Sequence, residues 1–393
     1  MHADGFAKRV MKSAAPPDFE RRVYCLLGLP IDALGLTEAV GKVEAAVATR
    51  TPCFISTPNL NFLMASTRDE AFRDSVIDSD LSLADGMPLV WISKLLGLPI
   101  RQRVAGSDLF ERLRRGSASI KVFFFGGPDG VAERACERLN EEAMPMRCVG
   151  FASPGFVSVD AMSAPAQIDA INATGADFVV AALGAKKGQA WITRNRANVD
   201  APVISHLGAV VNFVAGSVSR APPVFQRLGL EWAWRIKEEP ELWRRYADDG
   251  FGLLGLLFKN ILPGALANLL AAPNTIAVQQ ARVSLRPDIV TNENCIGMTG
   301  AWTDKNLSPL RGALALAVTP HGNLRLDMEG VVWLDNAAIA LLILLYGHQK
   351  RHGLAFQVSG AARSVRRALC RNGAGYLLDG VAPASPGQGN GKS

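Results

Sequence analysis

The most constraining feature of this sequence is a repeated unit in which a short apolar strand ends beside glycine and a helix follows. Three predicted strands, mainly apolar, show this order: 120–125 before Gly126, 176–183 before Gly184, and 203–207 before Gly208. Continuous apolar strands that alternate with helical stretches are typical of a mostly parallel sheet with both faces covered. We therefore predict an α/β fold with a Rossmann-like sheet between two layers of helices.

Polar residues follow two further predicted strands, at 53–56 and 81–84. The first leads into Thr57-Pro-Asn59, the second into Asp85-Gly86, and Arg103-Val-Ala-Gly106-Ser-Asp108 comes shortly afterwards. Ligands of parallel sheets bind beyond the carboxyl ends of the strands. One carboxylate, hydroxyl-binding groups and a guanidinium suit a reaction that needs a base and a cation for a departing anion. Taken singly, Asp85-Gly86 fits a turn and Thr57 a helix cap, so only their joint order favours a site.

The chain has 393 residues, and a single hydrophobic core rarely supports a chain of this length. We predict an α/β domain at 21–250 and a second small α/β domain at 275–380, with loose tails at 1–20 and 381–393. An apolar segment at 251–274 joins the two domains. Polar residues and a proline interrupt it, which argues against a clean membrane span. An interfacial amphipathic segment and a buried helix both remain open.

Charge and cysteine content exclude several classes of function. The net charge is +6 without a Lys/Arg run, so the sequence favours no nucleic-acid partner and suits nucleotide diphosphates or anionic lipid. Six scattered cysteines include no Cys-x-x-Cys pair, which predicts reduced thiols and no zinc site.

Residues 25–246 resemble the WecG/TagA/CpsF glycosyltransferases, bacterial enzymes that add a sugar to a lipid-diphosphate-linked sugar. Besides the motifs above, the resemblance rests on Phe124-Phe-Gly-Gly127, Leu183-Gly184-Ala185, Gly208-Ala209, Phe213-Val-Ala-Gly216, Arg220-Ala-Pro222 and Leu228-Gly-Leu-Glu231-Trp232-Ala-Trp-Arg235. It implies an inverting transfer from a UDP-sugar to an undecaprenyl-diphosphate-linked saccharide, with no metal or other cofactor. It also implies a peripheral enzyme at the cytosolic face of the plasma membrane, working in exopolysaccharide or surface-polysaccharide synthesis.

The resemblance assigns roles to individual residues. Asp85 matches the catalytic base, Thr57 and Asn59 match groups that bind sugar or acceptor hydroxyls, and Arg103 matches a phosphate-binding arginine. The other expected substrate-binding positions are Gly106, Asp108, Gly126, Gly127, Gly184, Gln189, Gly208, Arg235, Arg244 and Arg245. For the Gly126-Gly127 loop, a tight strand-to-helix turn is an equally good interpretation. For Arg235, Arg244 and Arg245, the alternative is a solvated helix face.

The sequence departs from the family pattern at two places near the expected donor pocket. After Leu183-Gly184-Ala185 the family continues with Pro and then Gln-Glu before Trp, whereas Lys186, Gly188 and Gln189 stand here. Asn212 replaces a family aspartate. These departures support a second hypothesis, a catalytically degenerate scaffold that docks a polysaccharide-assembly complex. A dinucleotide-binding oxidoreductase is disfavoured because no strand leads into Gly-x-Gly-x-x-Gly with a later acid.

Residues 275–380 resemble a STAS domain, the small module of anti-sigma-factor antagonists and sulfate transporters. The resemblance rests on Val331-Val-Trp-Leu-Asp335 and the very apolar helix that follows. Members that act as phospho-switches carry a serine after this aspartate, whereas Asn336 stands here. We therefore expect a protein partner or self-association through this domain rather than a phosphoserine switch.

Overall fold

The computed structural model describes residues 16–222, 224–225, 229–270, 273–288, 293–318 and 322–383. Most of the two predicted tails, at 1–15 and 384–393, and Leu228 of the sequence motif lie outside the described residues. The described chain forms two compact units. The first comprises 32–94 and 99–255, and the second comprises 16–31, 95–98 and 256–383.

The bounds of the elements mostly follow the apolar and glycine pattern of the sequence. The strands are β1 Val23–Leu26, β2 Leu29–Asp32, β3 Cys53–Ser56, β4 Leu81–Ser82, β5 Lys121–Gly126, β6 Arg147–Ala152, β7 Phe178–Ala182, β8 Val203–His206, β9 Arg282–Asp288, β10 Glu293–Trp302, β11 Asn323–Leu334 and β12 Phe356–Ser359. The helices are α1 Leu36–Thr49, α2 Leu60–Arg68, α3 Glu70–Ile77, α4 Met87–Leu95, α5 Gly106–Arg114, α6 Val131–Glu141, α7 Val159–Met162, α8 Pro165–Ala173, α9 Ala185–Asn195, α10 Gly208–Ala215, α11 Glu231–Glu238, α12 Trp243–Leu256, α13 Leu262–Leu270, α14 Thr275–Gln279, α15 Ser308–Ala317, α16 Asn336–Arg351 and α17 Arg363–Arg371.

The first unit is built on a six-stranded sheet with the order β4-β3-β8-β7-β5-β6, and every pairing is parallel. Successive side chains of β5 enter two different core clusters, with Phe124 in one and Phe125 in the other. Helices therefore cover both faces, which confirms the predicted fold class. Strand β6 escaped prediction because its residues are largely half-exposed and show no continuous apolar run.

The second unit is a small mixed sheet with the order β12-β11-β10-β9, in which β9 is antiparallel and the other neighbours are parallel. Helix α16 packs against it with every residue from Asn336 to Gln349 buried. A helix that is apolar on all sides is stable only when it is covered on all sides. This separate α/β sheet also agrees with the prediction.

The N-terminal segment differs from the prediction in two ways. The first domain was predicted to begin at residue 21 after a loose tail at 1–20, yet residues 23–32 form the hairpin β1–β2, and residues 16–31 belong to the second unit. The turn lies at Leu27-Gly28, where both residues have positive φ angles, 51° and 91°. The Asn336 side-chain amide donates to the Cys25 carbonyl oxygen across 2.7 Å. This long-range contact is the reason that local sequence did not reveal the placement.

A disulfide corrects the expectation of reduced thiols. Cys136 on α6 and Cys148 on β6 are bonded, with their Cα atoms 5.1 Å apart. The sequence separates them by 12 residues without a recognisable motif, so only the return of the chain from α6 to β6 brings them together.

One helical stretch of the described residues, Pro240–Leu270, is long and apolar enough to cross a membrane by length and composition. Only 17% of its most apolar window is buried. The exposed large apolar side chains of Pro240–Leu270 are Trp243, Phe251, Leu254, Phe258, Leu262, Leu266, Leu269 and Leu270. These exposures do not support the alternative of a buried helix.

Candidate functional site

The carboxyl ends of two neighbouring strands bring Thr57 and Asp85 to the same edge of the sheet. Strand β3 pairs in parallel with β4, and Thr57 follows the first strand directly. The chain beyond β4 stays beside β3, since the Leu83 amide donates to Ser56 O at 2.9 Å and the Asp85 amide donates to Pro58 O at 2.7 Å. Thr57 is buried and Asp85 is half-buried.

The Asp85 carboxylate has little compensation for its burial. Its hydrogen-bond contact among the described residues is the Gly106 amide, which lies 3.5 Å from Oδ2. Burial raises the pKa of Asp85 to about 7; Glu231 and Asp108 also raise it, whereas Arg103 and the Gly106 amide lower it. A carboxylic acid in this environment exchanges its proton near neutral pH.

Gly106 is required by the close approach of helix α5 to the strand ends. A Cβ atom there would overlap the Leu207 side chain and lie 3.4 Å from Thr57 Cγ2. Gly106 also begins the helix, so its free amide points into the region of Asp85. The structure therefore brings together Thr57, Asp85 and Gly106.

Arg103 lies within a network of charges beside Asp85. Its Nη2 donates to Asp108 Oδ2 at 2.6 Å, and its Nη1 pairs with Glu231 on α11. Arg220 pairs with the other oxygen of Asp108. Arg220 and Glu231 belong to sequence motifs of the family, yet they were not proposed as site residues. The signal that could have found them is their charge within otherwise apolar motifs.

Asn59 and Gln189 support the strand ends through their side chains. Asn59 caps α2, since its Oδ1 accepts from the Phe62 amide at 3.1 Å, which leaves its Nδ2 group to donate elsewhere. Gln189 is buried on α9, and its Nε2 donates to Ser56 Oγ at 2.9 Å, one residue before Thr57. Gln189 Oε1 is buried without a hydrogen-bond partner among the described residues.

The predicted glycines lie at the ends of the central strands. Gly126 and Gly127 have φ angles of 93° and 90°, which other residues rarely adopt. A Cβ on Gly126 would come within 2.7 Å of the Leu183 side chain. Gly184 caps α9 without a side-chain bond, and Gly208 begins α10. The structure thus places all four at the same edge as Thr57, because β5, β7 and β8 run parallel to β3.

The three arginines predicted beyond residue 230 fall into two groups. Arg235 is half-exposed on α11, lies 3.7 Å from Glu239, and lines a groove with Ser107, Arg220 and Glu231. Arg244 and Arg245 are exposed on α12 and stack over the rings of Trp243 and Tyr246. None of the described hydrogen bonds or ion pairs joins Arg244 or Arg245 to the strand-end residues.

His206 also lies at this edge, and it was not among the residues that sequence reasoning selected. It ends β8 between the ends of β3 and β7, its Nε2 contacts the Leu183 carbonyl oxygen, and burial lowers its pKa despite that contact. The sequence held a signal in Gly188, since a small residue on α9 leaves space for a ring opposite.

Parallel strands whose carboxyl ends carry an acid, a hydroxyl and several glycines are typical of an α/β protein that binds a ligand at this edge. The sequence profile described as the Glycosyl transferase WecG/TagA/CpsF family matches residues 24–265, so the chain belongs to that family. A second profile, described as Mlab, STAS domain, matches residues 285–379.

Characterised relatives agree with this assignment. An N-acetylglucosaminyldiphosphoundecaprenol N-acetyl-beta-D-mannosaminyltransferase of Bacillus spizizenii is 30% identical over 213 residues, 53% of this chain and 81% of that protein. A protein of the same name from Bacillus subtilis is 30% identical over 49% of this chain and 73% of its own length. One from Staphylococcus aureus is 24% identical over 53% of this chain and 82% of its own length.

Proposed function

We propose that this chain is an inverting, metal-independent glycosyltransferase that moves a sugar from a UDP-sugar to an undecaprenyl-diphosphate-linked saccharide in bacterial surface-polysaccharide synthesis. The observation that carries the proposal is the Asp85 carboxylate, half-buried at a strand end, free of any ion pair among the described residues, and with a pKa of about 7. A general base is most effective when its pKa lies near the working pH.

The proposed reaction is a single displacement. The acceptor hydroxyl forms a bond to the anomeric carbon while its proton passes to Asp85. The bond from that carbon to the UDP oxygen breaks, and its electron pair leaves with UDP. The Thr57 hydroxyl and the Asn59 Nδ2 group orient sugar or acceptor hydroxyls, since the Asn59 oxygen already caps α2.

Stabilisation of the departing diphosphate falls to arginines and backbone amides. Arg235 and Arg220 share a groove at this side of the unit, and planar guanidinium groups bind phosphate oxygens in pairs. Arg103 is held by Asp108 and Glu231, so direct phosphate binding by Arg103 requires one of these carboxylates to release it. In this arrangement Arg103 instead tunes the charge around Asp85. The amides after Gly126 and Gly127 add donors beside the start of α6.

The apolar helical stretch at 240–270 supports a peripheral location on the inner face of the plasma membrane. Its exposed apolar side chains, together with Arg244, Arg245 and Lys259, suit an interface between apolar lipid and anionic headgroups. The lipid-linked acceptor in the names of the relatives supports the same location.

The STAS-like unit supports a proposed role in docking a protein partner or in self-association. Asn336, at the position of the switch serine, is 4% exposed. Its Nδ2 donates to Cys25 O and to Asn372 Oδ1, at 2.7 and 2.9 Å. The Asn336 carboxamide has no hydroxyl group that could accept a phosphoryl group, so this position does not support a phosphoserine switch.

A screen of UDP-sugars against N-acetylglucosaminyl-diphospho-undecaprenol, scored by UDP release with and without EDTA, tests the proposal. We expect UDP release from at least one N-acetylhexosamine donor, unchanged by EDTA. Release abolished by EDTA and restored by a divalent cation would contradict metal independence. No release from any donor would favour the scaffold hypothesis, to which the departures at Lys186, Gly188 and Asn212 point.

A further inference from the structure

His206 and Gly188 form a complementary pair across the sheet edge. Gly188 is buried on α9, and a Cβ atom built there would overlap His206 Cδ2 and lie 2.8 Å from His206 Cγ. The imidazole ring therefore occupies the volume into which any side chain at position 188 would project.

The ring lies within the edge that carries the proposed catalytic residues. Strand β8 lies between β3, which delivers Thr57, and β7, which delivers Gly184. The ring centroid of His206 is 6.2 Å from that of Phe62, whose amide is capped by Asn59. His206 as a whole residue is half-buried at this edge.

The contacts of the ring determine which atom is available to a ligand. Nε2 contacts the Leu183 carbonyl oxygen, which accepts only, so Nε2 carries the proton. Burial lowers the pKa of His206, which keeps the ring neutral at pH 7. Nδ1 is then an acceptor, and none of the hydrogen bonds among the described residues uses it. Because the Cδ2 edge faces Gly188, the Nδ1 edge faces away from α9.

We propose that His206 is a specificity residue of the donor site, where its Nδ1 accepts a hydrogen bond from a hydroxyl or N-acetyl N–H group of the sugar. This inference rests on the proposed function. A ring in this position offers one acceptor and no donor, whereas a carboxamide offers both. The site therefore selects a UDP-sugar whose sugar carries a hydrogen-bond-donating group at this point.

Two isosteric variants separate the two ring nitrogens. His206→Asn places a carbonyl oxygen near the position of Nδ1. His206→Gln places its side-chain amide group near the position of Nε2. Loss of one hydrogen bond corresponds to about a fivefold to tenfold weaker binding of the UDP-sugar. We therefore expect His206→Gln to raise the KM for UDP-N-acetylmannosamine about fivefold to tenfold at nearly constant acceptor KM, and His206→Asn to stay near the wild type. Equal donor KM values in all three proteins, or loss in His206→Asn alone, would overturn the contact through Nδ1.

The complementary fit supplies a second test. Gly188→Gln alone is expected to lower the unfolding temperature, because its side chain has no space beside the ring. The double variant Gly188→Gln, His206→Gly is expected to recover that stability and to change the order of preference among UDP-N-acetylmannosamine, UDP-N-acetylglucosamine and UDP-glucose. A recovered fold with an unchanged order of donors would show that the pair fills space only and would overturn the specificity role.

Calorimetric titration of each UDP-sugar separates this inference from the proposed reaction. A wild-type protein that binds a donor without releasing UDP would contradict the proposed transfer, and a weaker donor affinity of His206→Gln would still support the contact. Active wild type with the same donor affinity in His206→Gln would overturn the inference and leave the transfer intact.

Discussion

Asp85 and Asp335 occur in the same local context and have different surroundings. Each follows a strand and precedes a helix, and burial raises the pKa of Asp85 to about 7 and that of Asp335 to about 6. Asp335 accepts from the Ala338 amide at 2.8 Å and the Asp304 amide at 2.7 Å, so both of its oxygens are bonded. Asp85 accepts from the Gly106 amide at 3.5 Å.

This difference separates a structural aspartate from a reactive one. Asp335 caps α16, and its oxygens are occupied by amides that the fold must satisfy. Asp85 retains acceptor capacity at an accessible edge, at the cost of burying a poorly compensated charge. Unsatisfied carboxylates of this kind are candidates for catalysis, whereas satisfied ones belong to the architecture.

The largest expected effect is the loss of turnover in Asp85→Asn. Asparagine keeps the size of the side chain and cannot accept the proton, so turnover should fall by at least about a hundredfold while UDP-sugar affinity is retained. UDP release and donor titration measure the two quantities. Asp169→Asn, at an exposed position on α8, is the matched control. Turnover of Asp85→Asn close to the control would reject Asp85 as the base.

The same substitution should change how stability depends on pH. The folded pKa of Asp85 lies above its unfolded value, so its contribution to stability is complete below about pH 4 and is lost as the pH rises through 7. Asp85→Asn lacks this loss. Between pH 5 and 8 its free energy of unfolding should therefore rise relative to that of the wild type by on the order of 1–3 kcal/mol. Urea unfolding at several pH values gives the difference. A constant difference across this range would mean that the Asp85 pKa is not raised.

Two neighbours of Asp85 should shift its titration in opposite directions. Arg103 lowers the Asp85 pKa and Glu231 raises it. Arg103→Gln should move the acidic limb of the kcat/KM profile upward by about one pH unit, and Glu231→Gln should move it downward. Arg101→Gln, exposed and two residues away, is the control. Shifts in the same direction for both variants would show that the limb reports a different group.

The smallest expected effect concerns Asp335, the structural aspartate. Asp335→Ala should reduce the free energy of unfolding by about 1–2 kcal/mol, because α16 loses its cap. Asp335→Asn keeps one oxygen acceptor and should fall between alanine and wild type. Turnover should stay within about twofold of wild type, since no transition-state contact is lost. A hundredfold loss of turnover in Asp335→Asn would remove the distinction between the two aspartates.

The sequence by itself determined the parallel α/β sheet, the strand ends at Thr57 and Asp85, and the membership of both domains in their families. These follow from local apolar periodicity, glycine positions and ordered motifs, which need no knowledge of distant contacts. Strand β6 was missed because its largely half-exposed residues form no continuous apolar run.

Only the tertiary structure decided what surrounds each of these residues. Glu231 forms an ion pair with Arg103, although more than a hundred residues separate them in the sequence. His206 fills the space left by Gly188, and residues 16–31 belong to the second unit. The pKa of Asp85 is likewise a property of burial and neighbouring charges. Long-range contacts depend on which faces pack together, and neither periodicity nor motif spacing contains that information.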